Sequence, residues 1–149
     1  MLRNRITEAL KTAMKAKDET ALAAVRLIQA ALKDRDIAAR SKGVTVGIGE
    51  DEILGLLQSM IKQRRESIEM YNKGGRPELA AKEAREIEVI ESFLPEQMGD
   101  DAMGAAIDAI VAAEARKDRG GVMALLKERH AGAMDFGKAS GLVKAKLAG

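Results

Sequence analysis

Apolar residues recur at three- and four-residue steps along almost the whole chain, and no other feature constrains its fold as tightly. An α-helix turns once in about 3.6 residues, so this spacing gathers side chains on one face, whereas a half-buried strand would alternate them at every second position. Strand-like alternation is nearly missing. Leu2, Ile6, Ala9, Leu10 and Ala13 form the first stripe. A polar stretch, Lys15 to Thr20, interrupts it, with Asp18 or Thr20 as the cap of the next helix. That second helix carries Leu22, Val25, Ile28 (or Gln29) and Leu32 and fades near Arg40.

Ser41 to Gly49 holds three glycines in nine residues and reads as a loop, with Val44, Val46 and Ile48 as a short extended piece. Glu50, Asp51 and Glu52 then suit the positive end of a third helix, whose stripe is Ile53, Leu56, Leu57, Met60, Ile61, Arg64, Ile68 and Tyr71. Gly74 and Gly75 end it, and Pro77 fits the first position of a fourth helix. That helix carries Leu79, Glu83, Ile87, Ile90 and Leu94, and Pro95 closes it. Pro95 to Asp101 combines a proline, a glycine and a charge run and marks a domain boundary. Three shorter helices follow: one with Met103, Ala106, Ile107, Ile110 and Val111, one with Val122, Leu125, Leu126 and Arg129, and one opened by Asp135 with Ala139, Leu142, Val143 and Leu147. The expectation is an all-α protein with a four-helix domain over residues 1–95 and a three-helix domain over residues 96–149.

Composition excludes several chemistries. The 149 residues contain no cysteine, no tryptophan, one histidine, one tyrosine and two phenylalanines. Disulfide scaffolds, thiolate metal sites and cysteine nucleophiles are thereby excluded. A di-iron bundle needs two Glu-x-x-His pairs, and His130 stands alone. Base-stacking RNA platforms need more aromatic rings than Tyr71, Phe93 and Phe136. The longest apolar runs, Ala21 to Val25 and Ala109 to Ala113, are far too short to span a bilayer. Met1 to Lys17 is basic and amphipathic like an organellar transit peptide, but it has no serine and contains Glu8, and it reads as an ordinary first helix. Without cysteine or an export signal, the expected location is the cytoplasm.

Three motifs invite a catalytic reading. Gly132 to Ala139 follows the G-x-x-x-x-G-K pattern of a phosphate loop but lacks the final hydroxyl, and helical residues precede it instead of a strand. Ser59 and Lys62 have the spacing of a serine acyl enzyme, without its partner motifs. Glu83, Glu86, Glu88 and Glu91 suggest acid–base or metal chemistry, yet Lys82 and Arg85 lie alongside, and a salt-laced solvent face is the simpler reading. His130 suits a helix C-terminus.

Basic residues are more informative. The formal net charge is only +2, but it is unevenly spread. Residues 116–149 carry eight Lys and Arg against Asp118, Glu128 and Asp135. Lys62, Arg64 and Arg65 form one cluster; Lys127, Arg129, Lys138, Lys144 and Lys146 form another. Such clusters can neutralise phosphates in a sequence-independent, salt-sensitive way. Arg64, on an apolar stripe, must be buried against a carboxylate or exposed in a groove.

The strings Arg26 to Leu32 (RLIQAAL), Ile61 to Ile68 (IKQRRESI), Glu86 to Pro95 (EIEVIESFLP) and Asp135 to Ser140 (DFGKAS) resemble the GatB/YqeY family in order and spacing over about residues 2 to 147. The resemblance implies a helical N-terminal domain and a three-helix C-terminal domain. It also implies kinship with the tail of the B subunit of the glutamine-dependent tRNA amidotransferase, which helps to hold tRNA. The associated activity is a carbon–nitrogen ligase with glutamine as amido-N-donor, but the resemblance supplies no catalytic residue for these positions. The expectation is a module without cofactor or catalytic activity of its own. It would bind tRNA, or associate with the amidotransferase or other aminoacyl-tRNA-handling proteins, through the two basic clusters. A ligase acting with other subunits and a protein-interaction module are the alternatives.

Overall fold

A computed structural model describes residues 1–114 and 118–148, without the side chain of Glu114. Among them lie seven α-helices and no strand: α1 (Leu2–Ala16), α2 (Glu19–Arg40), α3 (Glu50–Lys73), α4 (Pro77–Glu91), α5 (Asp100–Glu114), α6 (Arg119–Arg129) and α7 (Phe136–Ala148). The chain divides into two compact units, Met1–Leu94 and Pro95–Gly149.

In the first unit α3 packs most extensively on α4, α1 lies on α2, and α2 touches both α3 and α4. Leu2 and Ile6 of α1, Val25 and Ile28 of α2, Ile53 and Leu57 of α3, and Ile87 and Ile90 of α4 meet in one core. The basic N-terminal segment is therefore an integral core helix. Asp18 caps α2 by accepting from the Ala21 N–H at 3.1 Å. Gly74 and Gly75 close α3, and Pro77 opens α4. α4 stops at Glu91, short of Leu94; the chain turns there so that Phe93 enters the core.

Residues 41–49 form the expected loop between α2 and α3. Val44 to Ile48 forms no strand, and the segment is held by side chains. Asp36 accepts from the Ile48 N–H at 2.9 Å and receives both ends of the Arg3 guanidinium at 2.8 Å. Arg3 also donates to the Ile48 carbonyl at 2.9 Å. This clamp joins α1, α2 and the loop, and seats Ile48 in the core. The Arg3 hydrogen bond, aided by the Ile48 N–H and the positive charge of Arg3, lowers the Asp36 carboxyl to about 2. Gly47 sits at φ +90°, and a Cβ there would lie 2.5 Å from Arg3 Nη2. The positive φ favours glycine, and a Cβ would have to displace the Arg3 guanidinium from the clamp.

In the second unit, Met103, Ile107 and Ile110 of α5, Val122 and Leu126 of α6, Met134 of the α6–α7 turn, and Ala139 and Val143 of α7 form a separate core. Pro95 to Met98 is tied to this unit. Gln97 Nε2 donates to the Gly132 carbonyl at 2.6 Å, and the Met98 N–H to the Ala133 carbonyl at 2.6 Å. Asp118 caps α6 by accepting from the Gly121 N–H at 2.8 Å.

Candidate nucleic-acid interface

Arg64 projects from the apolar stripe of α3 toward α4. Its Nε donates to Glu86 Oε2 at 3.1 Å and lies 3.7 Å from Glu83 Oε2, while Nη1 donates to the Met60 carbonyl at 3.4 Å. The Arg64 and Glu86 side chains are only 13% and 8% exposed. Of the two positions open to Arg64, burial against a carboxylate is the one realised. This corrects the reading of the α4 carboxylates as a solvent face balanced by Lys82 and Arg85: Glu86 is buried, and its counter-ion comes from α3. Arg65 reaches Glu91 at 3.1 Å on the exposed edge of the same helix pair. Lys62 is exposed, with no carboxylate among the described residues in ion-pair reach.

The second cluster does not converge on one face. On α7 the buried Ala139 and Val143 mark the core side. At about 100° per residue, Lys138 and Lys144 flank that side in opposite directions, about 120° apart. Both are exposed and without an ion-pair partner among the described residues. Lys146 instead crosses to α5 and pairs with Asp108 at 2.9 Å. Lys127 and Arg129 are exposed in the last turn of α6, where positive charge suits the helix dipole. Arg116 and Lys117, counted in the basic final quarter, lie outside the described residues.

The catalytic motifs take structural roles. Asp135 Oδ1 accepts from the backbone N–H groups of Gly137 at 2.9 Å and Lys138 at 3.2 Å. The α7 N-terminus is thus satisfied by the protein's own carboxylate at the place where a phosphate loop would hold its ligand. α6 and a turn precede it, not a strand. Ser140, one position beyond the phosphate-loop hydroxyl, accepts from the Arg119 guanidinium, joining α7 to α6. Ser59 and Lys62 are both exposed on α3, outside the dry pocket that a lysine-activated serine needs. His130 ends α6, its N–H bonded to the Leu126 carbonyl at 2.9 Å. Among the described residues no group of three His, Cys, Asp or Glu side chains is placed to hold a metal ion, and no helix is long and apolar enough to cross a membrane.

Residues 3–147 match the family model described as Yqey-like protein. The chain belongs to that family. Its curated relatives include "Altered inheritance of mitochondria protein 41, mitochondrial" from Eremothecium gossypii, 33% identical over 89 residues, which is 60% of this chain and 46% of the relative. The proteins of the same name from Vanderwaltozyma polyspora and Lachancea thermotolerans are 33% and 34% identical over 85 residues, covering 57% of this chain and 44% and 43% of theirs. The matches thus span less than half the length of these relatives. Their names place them in mitochondria, which overturns the cytoplasmic location expected from the lack of cysteine and of an export signal.

Proposed function

We propose that this YqeY-like chain is a non-catalytic helical module that binds tRNA, alone or on the tRNA amidotransferase, with its four-helix and three-helix units as separate domains. The observation that carries this reading is the set of exposed lysines, Lys62, Lys127, Lys138 and Lys144, that no described carboxylate neutralises. Arg65 joins them at little cost, because its pair with Glu91 is exposed and worth about 1 kcal/mol or less. Arg64 holds α3 to α4 and is not counted as a phosphate contact. Lysine contacts to phosphate suit recognition of RNA shape and backbone, where base edges need not be read. The non-catalytic part of the reading rests on Asp135 occupying the α7 N-terminus and on the solvated setting of Ser59 and Lys62.

Titration of bulk tRNA between about 50 and 200 mM salt tests it. Four phosphate contacts give a log–log salt slope of about −3 to −4, and Lys138→Glu with Lys144→Glu weakens binding about tenfold or more. Absence of binding at the lower salt, or affinity unchanged in the double variant, sinks the proposal. Amide product from the purified chain with glutamine, ATP and mischarged tRNA would establish the ligase reading instead.

A further inference from the structure

α2 has a second ordered face besides the one it buries. Its core side carries Ala24, Val25, Ile28 and Leu32. The line pointing most directly away from that core is Ala23, Ala30 and Ile37, spaced by sevens and all exposed, with Ile37 at 50%. Leu27, 46% exposed, adjoins it. Seven residues make nearly two full turns, so the three positions form one seam about 21 Å long. Arg26, Lys33 and Arg40 repeat by sevens along one flank of this seam, in a row that Glu19 opens at the helix N-terminus and with Asp34 on the opposite flank; the three cations are exposed and have no ion-pair partner among the described residues. Where the seam reaches Ile37, a cleft of about 310 Å³ opens between α1 and α2. Ile6, Leu32 and Ile37 give it apolar walls, and Lys33 and Arg40 supply cations beside Asp36, whose carboxylate is already held by Arg3.

We infer that this face docks an acidic amphipathic helix of a partner protein. Small residues at Ala23 and Ala30 let a second helix approach closely, and heptad spacing is the repeat that helix pairs share. The cleft accepts one large apolar side chain of the partner, and the row Arg26, Lys33 and Arg40 pairs with carboxylates set seven residues apart on it. RNA accounts for the cations but leaves the apolar seam and the cleft walls without a role. This surface is distinct from Lys62 on α3 and from the α6 and α7 lysines, so the inference stands or falls separately from tRNA binding.

The test uses the full chain and a labelled peptide of about three heptads, with Leu and Ala on its seam and Glu on the flank, beside a counterpart carrying Lys for every Glu. Fluorescence anisotropy is expected to show binding of the acidic peptide about tenfold or more tighter than of the basic one. Ala30→Gln with Ile37→Gln fills the seam without altering charge, and Arg26→Gln with Lys33→Gln and Arg40→Gln removes the cations. All five sites are exposed, and circular dichroism checks that both variants keep their helices. Each set is expected to weaken the acidic peptide about tenfold. The inference is overturned if the acidic peptide does not bind, or if its affinity survives the neutral seam substitutions. It is equally overturned if removing the cations costs tRNA binding and leaves peptide binding unchanged.

Discussion

Replacing Arg64 by methionine keeps most of the side-chain volume and leaves Glu86 buried between α3 and α4 with Glu83 beside it. Two carboxylates then share a site whose only described counter-charge is gone. At 3.1 Å the Arg64–Glu86 attraction is about 5 kcal/mol for an effective dielectric constant near 20, most of which offsets desolvation of the two ions. Removing one partner leaves that desolvation uncompensated, a loss of about 3 to 5 kcal/mol. The lower end applies here because Glu83 is 23% exposed and can turn toward water. A loss of about 3 kcal/mol in a unit of this size lowers its melting temperature by about 12 to 24 °C. Tyr71, in α3, is the chain's only tyrosine and there is no tryptophan, so tyrosine emission during urea unfolding reports on the α1–α4 unit. Arg64→Met with Glu86→Leu is expected to return to within about 1 kcal/mol of the parent, since a packed apolar pair can replace a buried ion pair. A single-variant cost below about 1 kcal/mol, or a double variant no more stable than the single, would refute this account of the α3–α4 contact.

Two further outcomes concern the Arg3–Asp36 clamp. Asp36 is held at about 2 against an ordinary 3.8, so its contribution is present in full above pH 4 and is lost as pH falls toward 2. With Arg3 40% exposed, screening limits that contribution to about 1 kcal/mol; Asp36→Asn should flatten this part of the acid-unfolding curve, and an unaltered curve would count against the clamp. Gly47→Ala places a Cβ 2.5 Å from Arg3 Nη2 at φ +90° and should cost about 2 kcal/mol, raising the Asp36 carboxyl toward its ordinary range in an NMR titration. Gly43→Ala, at φ +88° with nothing within 4 Å of its Cβ, should cost less and leave Asp36 unmoved.

Helix positions were legible because their signals are local. Asp18, Gly74, Gly75, Pro77 and Asp135 act within a turn of where they stand, and the apolar stripes of α1, α3 and α7 point into their cores as the period requires. Ile48 escaped this reading because its burial depends on Arg3 and Asp36, 45 and 12 residues away, while its own neighbours are the glycines and turns of a loop. α4 likewise ends a turn early because tertiary burial of Phe93 outweighs the continuing helical pattern toward Leu94.

Ion pairs were the least legible, and this bears directly on function. Sequence proximity paired the α4 carboxylates with Lys82 and Arg85, whereas the partners used, Arg64 and Arg65, come from a helix that folds back from 22 and 26 residues away. A basic cluster read from sequence therefore overstates the charge available to a ligand. Of the eight cations that composition nominated, Arg64 is buried in a carboxylate pair, and Arg65 and Lys146 are engaged with Glu91 and Asp108. What matters for a phosphate backbone is the desolvation and pairing that each cation must give up first. By that measure Lys62, Lys127, Lys138 and Lys144 are available at once, Arg65 and Lys146 must exchange one exposed carboxylate, and Arg64 stays with Glu86. The same reasoning raises the standing of Arg26, Lys33 and Arg40. Scattered along α2 in the sequence, they form no run, but the helix aligns them by sevens and none has a described carboxylate within ion-pair distance, Arg40 acting on Asp36 only through its charge.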